Sequence, residues 1–261
     1  MSGNMSNIFA DETRNEDHHK RFSVLTVNSK TLETFYHFDV QGMSGSIDVF
    51  HGPNESGKTS LMEVIPWIIA AQNVTKNDTR DLPDTSFRNL IVVFKRENFL
   101  KVDQLHKFSI LDDLKLSETP QSEAQNEFVI AETLGLLREI CPPTNVFGEI
   151  VHSVNNAKEL DQALKRRGDN NRLLVNFTFR LLQLIILNRQ KQIRLPIIID
   201  DLPQTLSDDY LHLMAKVMKK ASRICQIIAT TAEPTVVRVL QENRVNIIDM
   251  DTCRPVPSFP L

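Results

Sequence analysis

The sequence predicts an α/β fold with a mainly parallel core sheet, and three observations carry that prediction. Short β-branched runs (Ile47-Asp48-Val49-Phe50, Pro196-Ile197-Ile198-Ile199, Ile224 to Thr231) alternate with longer segments whose apolar residues recur at helical spacing. The later runs are apolar on both faces, as in parallel strands covered by helices on each side. A glycine-containing loop stands between one such run and one such helical segment. With 261 residues, 41% hydrophobic and 24% charged, the chain can bury a core sufficient for one large domain or two small ones.

The elements follow in order. Residues 1–20 are polar and without apolar periodicity, so they read as a flexible N-terminal arm, and His18 and His19 read as tail residues before metal ligands. FSVLTVNS and TFYHFDVQ have strand chemistry and predict an N-terminal antiparallel β-ribbon, followed by the strand SIDVFHG. Leu61, Val64, Ile65, Ile68 and Ile69 place a buried helix directly after the glycine loop, bent where Pro66 removes a hydrogen bond. Residues 73–88 read as a loop, and NLIVVFKR with NFLKVDQLHKFSI reads as a strand pair turning at Glu97-Asn98. SETPQSEAQ is a polar linker; EFVIAETLGLLREI is a helix that Pro142-Pro143 ends; VFGEIVHSV is a candidate strand. Leu173 to Leu187 is too long an apolar run for a strand and predicts a buried helix. A strand at LPIIIDD, an amphipathic helix from Asp208 to Ala221, and strands at ICQIIATT and VNIIDMD complete the chain. The expected organisation is an arm (1–20) and a single domain (21–261), built from a first lobe at 21–116, a short linker or helical insert at 117–172 and a second lobe at 173–250.

Composition excludes several classes. Lys and Arg (30) nearly balance Asp and Glu (33), a net charge of -3, so no global field attracts nucleic acid and any such contact would be local. Cys141, Cys225 and Cys253 are widely spaced and form no CxxC pair, which argues against a disulfide framework or a zinc site and fits a reducing, cytoplasmic compartment. No apolar run approaches the ~20 residues of a membrane helix.

The strongest chemical signal is Gly52-Pro53-Asn54-Glu55-Ser56-Gly57-Lys58-Thr59, followed by Ser60, which satisfies G-x-x-x-x-G-K-[ST] after a strand and at the start of a helix. Gly52 and Gly57 permit backbone conformations and close approaches that turn successive amide hydrogens toward phosphate oxygens, and the helix N-terminus adds partial positive charge there. Lys58 would contact the β and γ phosphates of a nucleoside triphosphate, and the Thr59 hydroxyl would ligate Mg²⁺. Such a loop needs a carboxylate at the end of a neighbouring buried strand. Asp200 fits the metal role and Asp201 that of a general base orienting the attacking water, although Asp-Asp-Leu-Pro alone would also read as a turn.

The stretch SIDVFHGPNESGKTSLMEVI resembles the opening of an ABC-type ATPase head of the structural-maintenance-of-chromosomes and DNA-repair group, and LPIIIDDLPQTLSDDYLHLMAKVMKKASRICQIIATT is similar to that group's later strands, especially in YhaN-type members. LLVNFTFRLLQLIIL resembles the helix after the group's signature loop. The resemblance implies a P-loop NTPase fold, the cofactors ATP and Mg²⁺, slow hydrolysis, and pairing through the ATP face as a homodimer or hetero-oligomer. It further implies coupling to DNA, or to a nuclease or other effector, in genome maintenance or defence, away from any membrane. Residue by residue, Gly168, Asp169 and Asn170 fall in the signature region, and Asn155 or Asn156 falls where a γ-phosphate sensor stands. Ser207 takes the D-loop aspartate's place beside Asp208 and Asp209, and Ala232 that of the switch histidine. Asp201 replaces the commoner glutamate, and no coiled-coil arm fits between Ser117 and Arg172 at ~1.5 Å per helical residue.

These departures keep a second reading alongside the ATPase: a catalytically weakened, nucleotide-gated regulatory or structural subunit acting with a DNA-processing partner. A small-molecule kinase or GTPase is a third, against which the lack of an Asn-Lys-x-Asp motif counts. Two basic clusters, Lys158, Lys165, Arg166, Arg167 and Arg172, and Lys216, Lys219, Lys220 and Arg223, read either as solubilising surface or as contacts to an anionic partner.

Overall fold

The computed structural model describes residues 27–28, 39–62, 65, 123–165, 168–190 and 196–255. The chain divides into two compact units, one of Met1–Lys20 with Val102–Ile193 and one of Arg21–Lys101 with Arg194–Leu261. The arm, the strand pair around Glu97-Asn98, Pro66 and most of the N-terminal ribbon lie outside the described residues.

In the second unit a two-residue antiparallel ladder pairs β1 (Val27–Asn28) with β2 (Asp39–Val40). The main sheet has the order β4-β5-β3-β6-β7, made of β3 (Ile47–His51), β4 (Ile197–Ile199), β5 (Ile227–Thr231), β6 (Asn246–Asp249) and β7 (Arg254–Pro255). Strands β4, β5, β3 and β6 run parallel and only β7 is antiparallel. The register aligns Ile47 with Ile227 and His51 with Thr231, so every parallel strand delivers its C-terminal residue to the same edge. Ile197, Ile198 and Ile199 are buried, as are all five residues of β5, which is why these runs show no polar alternation.

Parallel strands require crossovers, and the sequence supplies helices of the right period. In α6 (Asp208–Ala221) Leu211, Met214, Ala215, Met218 and Ala221 form the buried stripe, with Asp208 and Asp209 in the first turn and Lys219 and Lys220 in the last, the arrangement the helix dipole favours. In α7 (Pro234–Glu242) Pro234 opens the helix, where its missing N–H costs nothing, and Val236, Val239 and Leu240 are buried. This second crossover helix is absent from the reading of the sequence, where TAEPTVVRVLQE lacked a long enough apolar pattern.

The N-terminal edge of the sheet is held by one carboxylate. Asp48, fully buried in β3, accepts from the backbone N–H groups of Ser44 (2.6 Å) and Gly45 (3.3 Å) and from the side-chain amides of Gln226 (2.8 Å) and Asn246 (2.7 Å). It thus ties β3 to the starts of β5 and β6, its charge stabilised by four donors in place of water.

The first unit is helical: α2 (Glu123–Ile140), α3 (Val146–Ser153), α4 (Ala157–Lys165) and α5 (Asp169–Gln190). The second unit's helix from residue 58 is α1. Helix α2 packs on α5 and α3, and α5 is buried almost all round, as the successive residues Leu174, Val175, Asn176 and Phe177, with Phe179 beyond them, show. Arg138 of α2 donates to the carbonyls of Val151 (2.8 Å) and Val154, satisfying the C-terminal end of α3.

One expectation is overturned here: VFGEIVHSV forms helix α3 where a strand was expected. Asn145 caps it, accepting from the Gly148 amide at 2.6 Å, and Phe147, Ile150 and Val151 share the buried face at helical spacing. Gly148 is required there, because a Cβ would stand 1.9 Å from the Pro142 carbonyl oxygen. Helix α2 also begins at Glu123, inside the stretch expected to be linker, while its end at Ile140 agrees with the stop expected from Pro142-Pro143.

Candidate phosphate and metal site

The loop edge of the sheet collects the residues that carry chemistry. Strand β3 ends at His51, residues 52–57 turn, and α1 begins at Lys58, whose first turn is closed by the Leu61 amide on the Gly57 carbonyl at 2.9 Å. Glu55 (φ 68°) and Gly57 (φ 87°) are left-handed, the second at no steric cost and the first at ~1 kcal/mol or more. A Cβ at Gly52 would lie 2.7 Å from the Ser56 hydroxyl and 2.8 Å from Met250 Cβ, so only glycine lets the loop close against the end of β6. The Gly52 amide donates to the Thr231 carbonyl at 3.4 Å, joining the loop to β5. Lys58 folds over the loop and donates through Nζ to the carbonyls of Gly52 (2.7 Å) and Pro53 (2.6 Å). Its ammonium is therefore on the concave side of the turn, where a phosphate would sit.

Two strands away, Asp200 directly follows β4. The Thr59 hydroxyl donates to Asp200 Oδ1 at 3.3 Å, and the Thr230 hydroxyl donates to the same oxygen at 3.1 Å. Asp201 follows in a left-handed conformation (φ 72°), its amide donating to Thr230 Oγ1 at 2.7 Å, while one of its carboxylate oxygens accepts from Gln204 Nε2 at 2.6 Å. Thus Thr59 and Asp200, far apart in sequence, meet as two hard oxygen donors beside the lysine, a pair suited to a hydrated Mg²⁺ that also takes phosphate ligands. Among the described residues no group of three His, Cys, Asp or Glu is placed to hold a metal ion.

The flanking positions have other geometry. Ser207 is the N-cap residue of α6 without a side-chain cap bond; Asp208 pairs with Arg238, which also pairs with Glu242 at 2.8 Å. Hydrogen bonding to Asp208, then to Glu242, raises the Arg238 guanidinium above its ordinary value. Ala232, directly after β5, offers only a methyl group.

The remaining predicted site residues belong to the helical unit. Asn156 caps α4, accepting from the Glu159 amide at 2.9 Å, and the Glu159 carboxylate accepts from the Asn155 amide at 2.7 Å and from Asn156 Nδ2 at 2.8 Å. Gly168 precedes α5, and Asp169 and Asn170 lie in its first turn. Arg172, 5% exposed, donates to the carbonyls of Leu164 and Lys165, and Lys165 pairs with Asp161 at 2.8 Å, so two members of the first basic cluster are committed to the α4–α5 turn. Arg166 and Arg167 lie outside the described residues.

Sequence reasoning missed Thr230 and Gln204. A hydroxyl inside an otherwise apolar strand was the available signal for Thr230, but the strand order that brings it to Asp200 and Asp201 carried no mark in the sequence.

A strand, a glycine loop closing on a helix, and, two strands away, a carboxylate just after β4 that meets the helix's first threonine form the strand–loop–helix arrangement of a phosphate-binding loop. No family model and no curated protein matches the chain. Among solved structures it is similar to a nucleotide-free ATP-binding cassette from an ABC transporter (14% identity, TM-score 0.47, covering 90% of each chain). It is also similar to an Smc head bound to the C-terminal winged-helix domain of ScpA (14% identity, TM-score 0.45, 82% of this chain and 89% of that one). A third similar structure is cbiO1 from Clostridium perfringens, part of the ABC transporter complex cbiONQ (12% identity, TM-score 0.45, 93% of this chain and 88% of that one). Among the described residues no helix is long and apolar enough to cross a membrane.

Proposed function

We propose that this chain is a Mg-ATP-binding, ABC-type head that pairs through its ATP face and hydrolyses ATP slowly. The observation that carries the reading is the approach of Thr59 Oγ1 to Asp200 Oδ1 at 3.3 Å beside a glycine loop whose lysine lies inside the turn. In this reading the backbone N–H groups of residues 54–60 and the Lys58 ammonium hold the phosphates, and Thr59 and Asp200 hold the cation, which when bound neutralises phosphate charge. Asp201 accepts a proton from, and orients, the attacking water. Lys58→Ala removes a charge-assisted contact and is expected to weaken ATP binding at least tenfold. Asp201→Asn is expected to leave binding and lower phosphate release ~100-fold or more. Labelled-nucleotide titration and phosphate-release assays read the two effects; wild-type protein that binds no ATP ends the proposal. Light scattering with and without Mg-ATP, on Asp201→Asn, tests pairing, for which a doubled mass only with nucleotide is expected.

The client in this reading is DNA, contacted through its backbone. What supports it is the C-terminal end of α6, where Lys216, Lys219 and Arg223 are exposed and Lys220 is half-buried on one helical stripe, with no acidic residue from Tyr210 to Ala232. Charge reversal of Lys216, Lys219 and Arg223 should abolish duplex binding at low salt while leaving ATP binding intact.

The second reading, a nucleotide-gated subunit with weakened catalysis, is favoured by the Gln204 amide held on Asp201 and by Ala232. Phosphate release by wild type no faster than by Asp201→Asn would select it.

A further inference from the structure

The ends of β4 and β5 are joined by a contact that the ATPase reading does not use. Thr230 is fully buried near the end of β5, the strand between the loop strand β3 and the acid strand β4. Its hydroxyl accepts from the Asp201 amide at 2.7 Å. A hydroxyl has one proton to give, and the oxygen facing it at 3.1 Å is Asp200 Oδ1, a pure acceptor, so the proton points there. The Thr230 carbonyl also accepts from the Leu202 amide at 2.8 Å. Three hydrogen bonds from one residue thus bracket Asp201, which has φ 72° although it has a Cβ. That conformation is unfavourable by ~1–2 kcal/mol and persists only where neighbouring contacts hold it.

We infer that Thr230 is a positioning residue that couples the metal carboxylate Asp200 to the base carboxylate Asp201. The inference rests on the ATPase reading above. Asp200 Oδ1 receives two hydroxyls, Thr59 from the helix after the loop and Thr230 from β5. A change in the direction of Asp200 as it takes on a cation passes through the Thr230 hydroxyl to the Asp201 backbone, and so to the direction of the Asp201 carboxylate. Ala232, one residue beyond β5, has no polar side chain to do this. A purely packing role would be served equally by valine, which has the same shape without the hydroxyl. In Thr230→Val the Asp201 amide loses its acceptor and Asp200 loses a donor, while the β5 backbone contacts remain.

The test compares wild type, Thr230→Val and Thr230→Ser by three readouts: ATP affinity in EDTA, the Mg²⁺ concentration that half-saturates ATP binding, and kcat for phosphate release. The expected result for valine is unchanged affinity in EDTA, a raised Mg²⁺ requirement, and kcat lower by ~10- to 100-fold, the size of a misplaced reacting group. Serine should restore both. A valine variant with wild-type kcat and Mg²⁺ requirement overturns the inference, as does a serine variant no better than valine, or a loss of affinity equal with and without Mg²⁺. Should valine fail to fold, Thr230→Ala measured in the same way decides. If wild type binds ATP without measurable turnover, the Mg²⁺ titration decides alone. Wild type that binds no ATP removes the ATPase reading itself and the coupling with it, a failure visible before any variant is made.

Discussion

Replacing Asp48 by alanine is expected to destabilise the fold strongly without touching the phosphate loop. The carboxylate is fully buried and accepts four hydrogen bonds, from Ser44, Gly45, Gln226 and Asn246. Truncation leaves two amide side chains and two backbone N–H groups facing a cavity. Backbone donors near the sheet edge can recruit water, whereas Gln226 is itself fully buried, and each orphaned buried donor costs ~1–3 kcal/mol. With partial rehydration the total is ~3–5 kcal/mol, comparable to breaking a buried charged pair and a large share of the 5–15 kcal/mol typical of a whole domain. At ~2–4 °C per kcal/mol for a chain of this size, Tm should fall by about 10 °C, with a matching drop in the urea midpoint. Asp48→Asn keeps the shape but turns an amide toward donors, so it should fall between the two. Asp48 lies three residues before His51, ~10 Å from the loop edge, and ATP affinity of the folded fraction should be unchanged. A urea-unfolding difference below ~0.5 kcal/mol would refute the view that this carboxylate ties the three strands together.

Other outcomes follow from the same geometry. Gly52→Ala forces a Cβ to 2.7 Å from the Ser56 hydroxyl and 2.8 Å from Met250 Cβ, so the loop must open; nucleotide titration should show at least tenfold weaker ATP binding with little change in Tm. Gly148→Ala places a Cβ 1.9 Å from the Pro142 carbonyl oxygen, and the resulting shift of α3 should cost ~1–3 kcal/mol by denaturant unfolding, with the phosphate loop unaffected. Arg238, raised by Asp208 and then Glu242, contributes stability that is fully present below its unfolded value and lost only as pH rises through the still higher folded one. Arg238→Gln should therefore shift Tm by the same amount at every pH from about 8 to 10, above the range in which His212, which also faces Glu242, changes charge, and a pH-dependent offset there in thermal melts would contradict the assignment.

The chain's local chemistry alone determined the glycine loop, the strand at Ile197–Ile199, the helices at α5 and α6, and the places of Lys58, Thr59, Asp200 and Asp201 at the ends of these elements. These are readable because each depends on neighbours in sequence: a residue type at a required position in a turn, or a period of apolar residues in a helix. Helix α3 was not readable, because VFGEIVHS is as compatible with alternation as with helical period until Pro142 and Asn145 meet Gly148. Helices α4 and α7 are only faintly marked in the sequence because they are short and their start signals, Asn156 with Glu159 and Pro234, sit in polar surroundings. Only tertiary structure decided the strand order β4-β5-β3-β6, and with it the insertion of β5 between the loop strand and the acid strand. That insertion turns Thr230 from one more strand residue into the group that holds both carboxylates, and Asp48 from an odd charge in an apolar run into the tie across three strands. Such contacts join residues separated by most of the chain, and their free energy depends on desolvation and direction, which no local pattern of residue types records.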